Sequence, residues 1–379
     1  MKNLSKLMIP FCIISFSMIT SCKKKGCTDS AAINYNAKAE KDDGSCVYNN
    51  SSNDSSNDSN NDSNNDDTNS NFTCVQLGAE CLTAEKIVEN TEFDGRIGHG
   101  CIVFNNKIYI IGGAHRVGST IYSLNDVWSS SDGTNWNLEV SEAPFSKRAN
   151  HAVLVHDNKL WVIGGSTYGA QTLNDVWYST DGINWVEATA NAQFSKRQFH
   201  QAISFQNNIY LIGGSVIMDN GEVWKSSDGI TWSLVTSNTG FGGRTNHNLA
   251  LYDNKMWLFA GNEVGLIKRD VWSSSDAINW TKVNTQEHFT TRTRANSFIH
   301  NNNFYTLGGT YGNAHTTNIR NDLWMSTDEG VSWTQYAAKE VDFLERTSYK
   351  AVPFNNHIYI IGGRVNDVDA EDIWRIELP

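Results

Sequence analysis

The sequence predicts an all-β fold, a six-bladed β-propeller with four antiparallel strands per blade, occupying residues 82–379. Three observations point there. One unit recurs six times at intervals of 47 to 54 residues, a period typical of propellers and solenoids. Each unit alternates short apolar runs with Asn, Asp and Gly turn signals. Finally, 13 Trp, 29 Gly and 39% hydrophobic residues suffice to bury a large core in one all-β domain.

From the N-terminus, residues 1–21 read as an export signal, because Lys2 and Lys6 precede an apolar run from Leu7 to Ile19 that is too short to span a membrane. The run ends in Ile19-Thr20-Ser21-Cys22, which resembles the bacterial lipobox. That resemblance implies that Cys22 takes the lipid and becomes the mature N-terminus. The expected location is the outer membrane, on its periplasmic or cell-surface face, with membrane contact through the N-terminal lipid only.

Once Cys12 leaves with the signal and Cys22 is acylated, five of the seven Cys remain. In an oxidising compartment the sequence-local disulfides pair Cys27 with Cys46 and Cys74 with Cys81, the connectivity staying open, and Cys101 is expected as a buried core residue. Within residues 22–48, Gly26 to Tyr48 resembles a Cys-bracketed segment of secreted Bacteroidota proteins. Its Asp29, Asp42 and Asp43 lack EF-hand spacing, so the segment reads as a spacer rather than a calcium site. Residues 49–71 hold only Asn, Ser, Asp and one Thr, have nothing to bury, and read as a disordered tether. Much of the formal charge of −11 comes from such acidic stretches, and no basic nucleic-acid footprint is present.

An Arg opens each repeat, at Arg96, Arg148, Arg197, Arg244, Arg292 and Arg346. Small residues follow at fixed offsets of 16 and 17, from Gly112-Gly113 to Gly362-Gly363, with Ala260-Gly261 in the fourth unit. In the second unit His151 to His156 is one strand, Asp157-Asn158 a turn, and Lys159 to Ile163 a second strand. Asp175 to Ser179 and Trp185 to Ala188 then give strands three and four, which completes a blade.

These features (R-x-x-H, an apolar strand, Y/W-x-x-G-G, D-x-W and a later Trp) are similar to the kelch repeat, and the resemblance runs from Arg96 to Pro379. Turns such as Ser326-Thr-Asp328-Glu-Gly330-Val-Ser-Trp333 also resemble the Asp-box of sialidase propellers, which there is a structural turn. The sixth unit stops after its third strand, so Ala84 to Val88, in the register of a fourth strand, is expected to close the ring.

His99, His151, His200 and His247 sit three residues after their arginines. Blades packed about 10 Å apart cannot bring them onto one metal, so a packing role is expected and no metal or cofactor is implied. The arginines form a structural ring, each matched by an acid before strand three: Asp126, Asp175, Glu222, Asp270, Asp322 and Asp372. A function must break this six-fold pattern. The unlike residues lie in loops after Gly-Gly, and Arg116, Glu263, Tyr311, His315 and Arg364 are the expected ligand contacts.

Two function classes remain. One is a binding or interaction module for a glycan or protein ligand outside the cytoplasm. The other is a carbohydrate-active enzyme, since six-bladed kelch propellers include sialic acid mutarotases and sialidases share six blades and the Asp-box. Catalytic residues stay unassigned, because no motif marks a nucleophile or a general acid–base pair, and the Arg cluster with Tyr-Glu that a sialidase needs has no match.

Overall fold

The computed structural model describes residues 75–77, 80–167, 171–215, 221–286, 288–311, 318–320, 322–336 and 346–377. The export signal, Cys22, Cys27, Cys46, Cys74, the Asn-rich segment and His315 lie outside these residues, as does the Cys81 side chain.

Six blades follow one another, all β, with no helix among the described residues. The first consists of Gly100–Phe104, Lys107–Val117, Thr120–Ser130 and Asn137–Val140, hydrogen-bonded in that order. The innermost strands of the other five blades are Ala152–His156, Gln201–Phe205, Asn248–Tyr252, Asn296–His300 and Lys350–Phe354. Each packs on the next, and the sixth packs on the first.

One turn recurs at the end of every innermost strand. Its two central residues, such as Asn105-Asn106 and Asp157-Asn158, have φ between +45° and +65° in all six blades. That is a type I′ turn, whose twist matches the flanking strands and whose left-handed residues favour Asn.

The ring closes through the N-terminal segment. Glu80–Val88 lies against Ile373–Glu377, with Ala84 opposite Ile376 and Lys86 opposite Trp374, and supplies the outer strand that the C-terminus lacks. This strand begins before Leu82, the expected start of the domain, and Val75–Leu77 adds a fifth strand by pairing with Glu80 to Leu82.

Apolar residues gather in six clusters, each between two neighbouring blades. Phe104, Ile111, Leu160 and Trp185, for example, join the first blade to the second. Full burial of such a side chain contributes roughly 1.5–3 kcal/mol. The clusters explain why the innermost hairpins read as continuous apolar runs, since both faces of each blade are covered.

The later Trp of each turn packs in the same spaces. In the first turn Ser130 Oγ accepts from Gly133 N–H at 2.8 Å, while Asp132 Oδ1 accepts from Thr134 and Asn135 N–H at 2.8 Å each. Gly133 has φ +78°, and a Cβ there would stand 2.1 Å from the Tyr359 ring of the adjacent blade, so only Gly fits.

Candidate functional site

The six arginines are buried and their hydrogen bonds are made within the fold. Arg148 Nη1 donates to Asp175 Oδ1 at 2.8 Å and to Gly164 O at 3.0 Å, Nη2 to Asp175 Oδ2 at 2.6 Å, and Nε to Ser146 O at 3.0 Å. Trp177 Nε1 donates to the same Oδ2 at 2.8 Å, which explains the D-x-W spacing: residues two apart share one face of a strand. The guanidinium also stacks on Phe145 at 5.3 Å, and Phe145 meets Trp185 edge-on at 5.2 Å. Equivalent Arg–acid–Trp contacts occur in every blade.

The ion pair lies inside one blade. It is the arginine main chain that crosses over. Arg148 N–H donates to Leu124 O at 2.9 Å and its carbonyl accepts from Gly113 N–H at 2.9 Å, both in the preceding blade. One residue thus grips its own blade through the side chain and the previous blade through the backbone. These guanidiniums cannot turn to a ligand without breaking their bonds to the acid and to the carbonyl of the small residue 16 positions on.

The histidines occupy the adjoining layer. A Cβ on Gly164, where φ is +55°, would stand 3.0 Å from His200 Cε1, and one on Gly165 would stand 2.7 Å from His151 Cβ. The Gly-Gly pair therefore makes room for two imidazoles, His151 of its own blade and His200 of the next. In the fourth blade the first Gly is replaced by Ala260, and the residue in the covering position of the fifth blade is Ala295 rather than His. Burial drives the pKa of His99 and His151 well below the ordinary value, and that of His200 and His247 down to about 3, so all four are neutral. Among the described residues no three His, Cys, Asp or Glu side chains come together as metal ligands.

Between Arg and His the chain does something the R-x-x-H pattern conceals. The residue two after each arginine is left-handed in all six blades: Gly98, Asn150, Phe199, Asn246, Arg294 and Ser348, with φ between +50° and +62°. Backbone bonds join the first four in sequence, from Asn150 N–H to Gly98 O at 2.7 Å, Phe199 N–H to Asn150 O at 3.0 Å, and Asn246 N–H to Phe199 O at 3.1 Å. Gly and Asn adopt this conformation readily, but Phe199 and Arg294 do so at a cost.

These six residues encircle the mouth of a central cavity of about 530 Å³. Below them its wall carries Gln201, Asn248, Asn296 and Lys350, each four residues after an arginine. Asn248 donates to Ala295 O at 2.9 Å and Asn296 to Tyr349 O at 3.2 Å, so these amides also tie adjacent blades. Cys101 is half-buried rather than fully buried, because its strand borders the channel, and desolvation pushes its thiol up to about 12.

The expected contact residues do not gather in one place. Arg364 lines the cavity, and its Nε donates to buried Asp369 at 2.8 Å. Arg116 meets the same Asp369 through its main-chain N–H at 2.7 Å, beside His115. Glu263 pairs with Lys268 across its own hairpin, and Tyr311 lies under the Arg320 guanidinium at 3.8 Å. The ring of left-handed residues went unnoticed in the sequence because its side chains differ. A signal was present, since three of the six are Gly or Asn.

With this geometry in view, a family model described as the KLHDC2/KLHL20/DRC7 Kelch-repeats domain matches residues 60–214 and again 200–379. The chain belongs to this kelch-repeat family. Kelch propellers are in general interaction modules. The kelch units are similar to tip elongation aberrant protein 3 of Schizosaccharomyces pombe, 29% identical over 85 residues, which is 21% of this chain. The matched part spans 8% of that relative's length. The kelch fold is also similar to the solved structure of YjhT, with a TM-score of 0.60 and 16% identity over 77% of this chain and 97% of that one. At that identity the likeness speaks for the fold alone.

Proposed function

We propose that this kelch propeller is an exported, lipid-anchored binding module that holds a glycan at the central cavity. The observation that carries the reading is the ring at Gly98, Asn150, Phe199, Asn246, Arg294 and Ser348, where one left-handed backbone position presents five side chains of four types, and one glycine, around a polar cavity. Strain retained at a cavity mouth is characteristic of binding sites. Amides of Asn150, Asn246 and Gln201 suit hydroxyl groups, and Phe199 offers an apolar face on which a sugar ring can lie. Of the loop residues expected to bind, Arg364 belongs to this site. Arg116, Glu263 and Tyr311 belong to the outer loops.

A glycan array probed with the full chain carrying Cys22→Ser tests the reading. Binding that is weakened by Asn246→Gly, which removes the amide and still accommodates φ +50°, is expected with little change in the melting midpoint. Absence of signal across the array would overturn it. Export and anchoring rest on the lipobox, and Cys22→Ala is expected to move the protein from the detergent phase to the soluble fraction.

A further inference from the structure

Lys350 stands apart from every other cation in the propeller core. The six buried arginines each meet an acid. Lys350 lines the cavity from the innermost strand of the sixth blade, at a position filled by Gly100, Ala152, Gln201, Asn248 and Asn296 elsewhere. Five neutral residues at equivalent sites mean that blade architecture does not require a charge there.

Among the described residues, no carboxylate acts appreciably on Lys350. Lys350 is half-buried and borders the channel. Burial lowers its pKa, and the charged or titratable groups acting with it are the Cys101 thiol and the His99 and His151 imidazoles. The thiol is protonated and both imidazoles are neutral at neutral pH. Among the described residues no carboxylate forms an ion pair with Lys350. Among the described residues, Asp367 is the one acid on the cavity lining, against Arg294, Lys350 and Arg364. A half-buried ammonium without an ion-pair partner carries a desolvation cost, so its place at an open polar cavity calls for an anion from outside.

Resting on the binding seat proposed above, we infer that the cavity takes an acidic monosaccharide unit, its carboxylate directed down the channel to Lys350 and its ring against Phe199. A cavity of about 530 Å³ admits a ligand of that size. Amides on the wall serve its hydroxyls, and the ammonium and carboxylate neutralise each other at a half-buried position, where the pairing is stronger than in bulk water.

The test is calorimetric titration of the full chain carrying Cys22→Ser with galacturonate and glucuronate, each against its neutral sugar, galactose or glucose. At least one uronate should bind about tenfold more tightly than its neutral partner, as expected for a charge-assisted bond in place of a neutral one. Lys350→Met should abolish that preference and leave the neutral sugar's affinity and the melting midpoint unlowered. Uronate affinity should also fall as pH rises through the lowered lysine value, because the ammonium is then lost. A uronate affinity unchanged by Lys350→Met, or no uronate binding to the unsubstituted chain, overturns the inference. Phe199→Ala and Asn246→Gly separate it from the reading beneath: if they weaken acid and neutral sugars alike while Lys350→Met does nothing, the seat stands and the charge assignment fails. If they too change nothing, the seat itself is wrong.

Discussion

Arg148 and Asp175 form a two-pronged pair, Nη1 to Oδ1 at 2.8 Å and Nη2 to Oδ2 at 2.6 Å, with the arginine fully buried. Asp175 is further held by the Trp177 indole, so neither partner is free to rotate toward solvent. Asp175→Ala therefore leaves a guanidinium buried without its anion. Guanidinium chloride unfolding should show a loss of about 3–5 kcal/mol, whereas Arg148→Met with Asp175→Leu should lose less, because no charge is then stranded. A double variant no better than Asp175→Ala would count against stranded charge as the cause.

The same pairs set an acid limit. Burial opposes ionisation of Asp270, Asp322 and Asp372, but hydrogen bonds and charge from Arg244, Arg292 and Arg346 outweigh it and hold them below the ordinary carboxylate value. A carboxylate with a depressed folded pKa contributes stability that is fully present above its unfolded value, about 3.9, and is lost as pH falls through the folded one. The melting midpoint should thus drop steeply below about pH 4. Replacing Asp322 by Asn should make that drop shallower while lowering the midpoint at neutral pH; an unchanged acid slope would remove Asp322 from the account.

Gly164 and His200 supply a packing test, with Ala260 and Ala295 as its natural precedent. Gly164→Ala places a methyl 3.0 Å from His200 Cε1 on a backbone with φ +55°. It should cost about 1–3 kcal/mol, and in a His200→Ala background the added cost should shrink by about 0.5 kcal/mol or more. Simple additivity would show that the imidazole is not what the glycine accommodates.

Ring closure predicts the effect of a truncation. A chain beginning at Asp94 loses Glu80–Val88 and uncovers one face of Trp374 and Ile376 along with an unpaired strand edge. Its melting midpoint should fall by many degrees relative to a chain that keeps the strand. Equal midpoints would mean that the sixth blade is stable with three strands.

The strand's role was legible because Ala84 precedes Arg96 by the same 12 residues that separate Trp185 from Arg197. Anything repeated from blade to blade, whether Arg, acid, the small-residue pair or Trp, could be read in this way, since each answers to a contact that recurs around the ring. Position two after the arginine escaped notice for the opposite reason. There the repeated property is a backbone angle, and Phe199 and Arg294 hide it by being poor formers of that conformation. Nor does loop sequence reveal that Glu263 is taken up by Lys268 or Tyr311 by Arg320, because those partners are chosen by hairpin register.

That concealed ring yields the last prediction, which concerns Arg294. It is exposed at the cavity mouth and holds φ +56°, an angle that glycine adopts without steric cost. Arg294→Gly relieves this strain and gives the unfolded chain more freedom; the two effects oppose each other and are each about 1 kcal/mol, so the melting midpoint should barely move. Binding should respond differently. If the ring is the seat of the ligand, removing a guanidinium from its rim should weaken an anionic glycan by about fivefold or more, and more strongly at low salt than at high salt. Glu263→Ala, which lies on an outer hairpin and answers to Lys268, should leave the same affinity within about twofold. The paired measurement is therefore a thermal melt and a titration of both variants at two salt concentrations. Should Glu263→Ala weaken binding while Arg294→Gly does not, the ligand sits on the outer loops and the ring of left-handed residues serves only to narrow the channel.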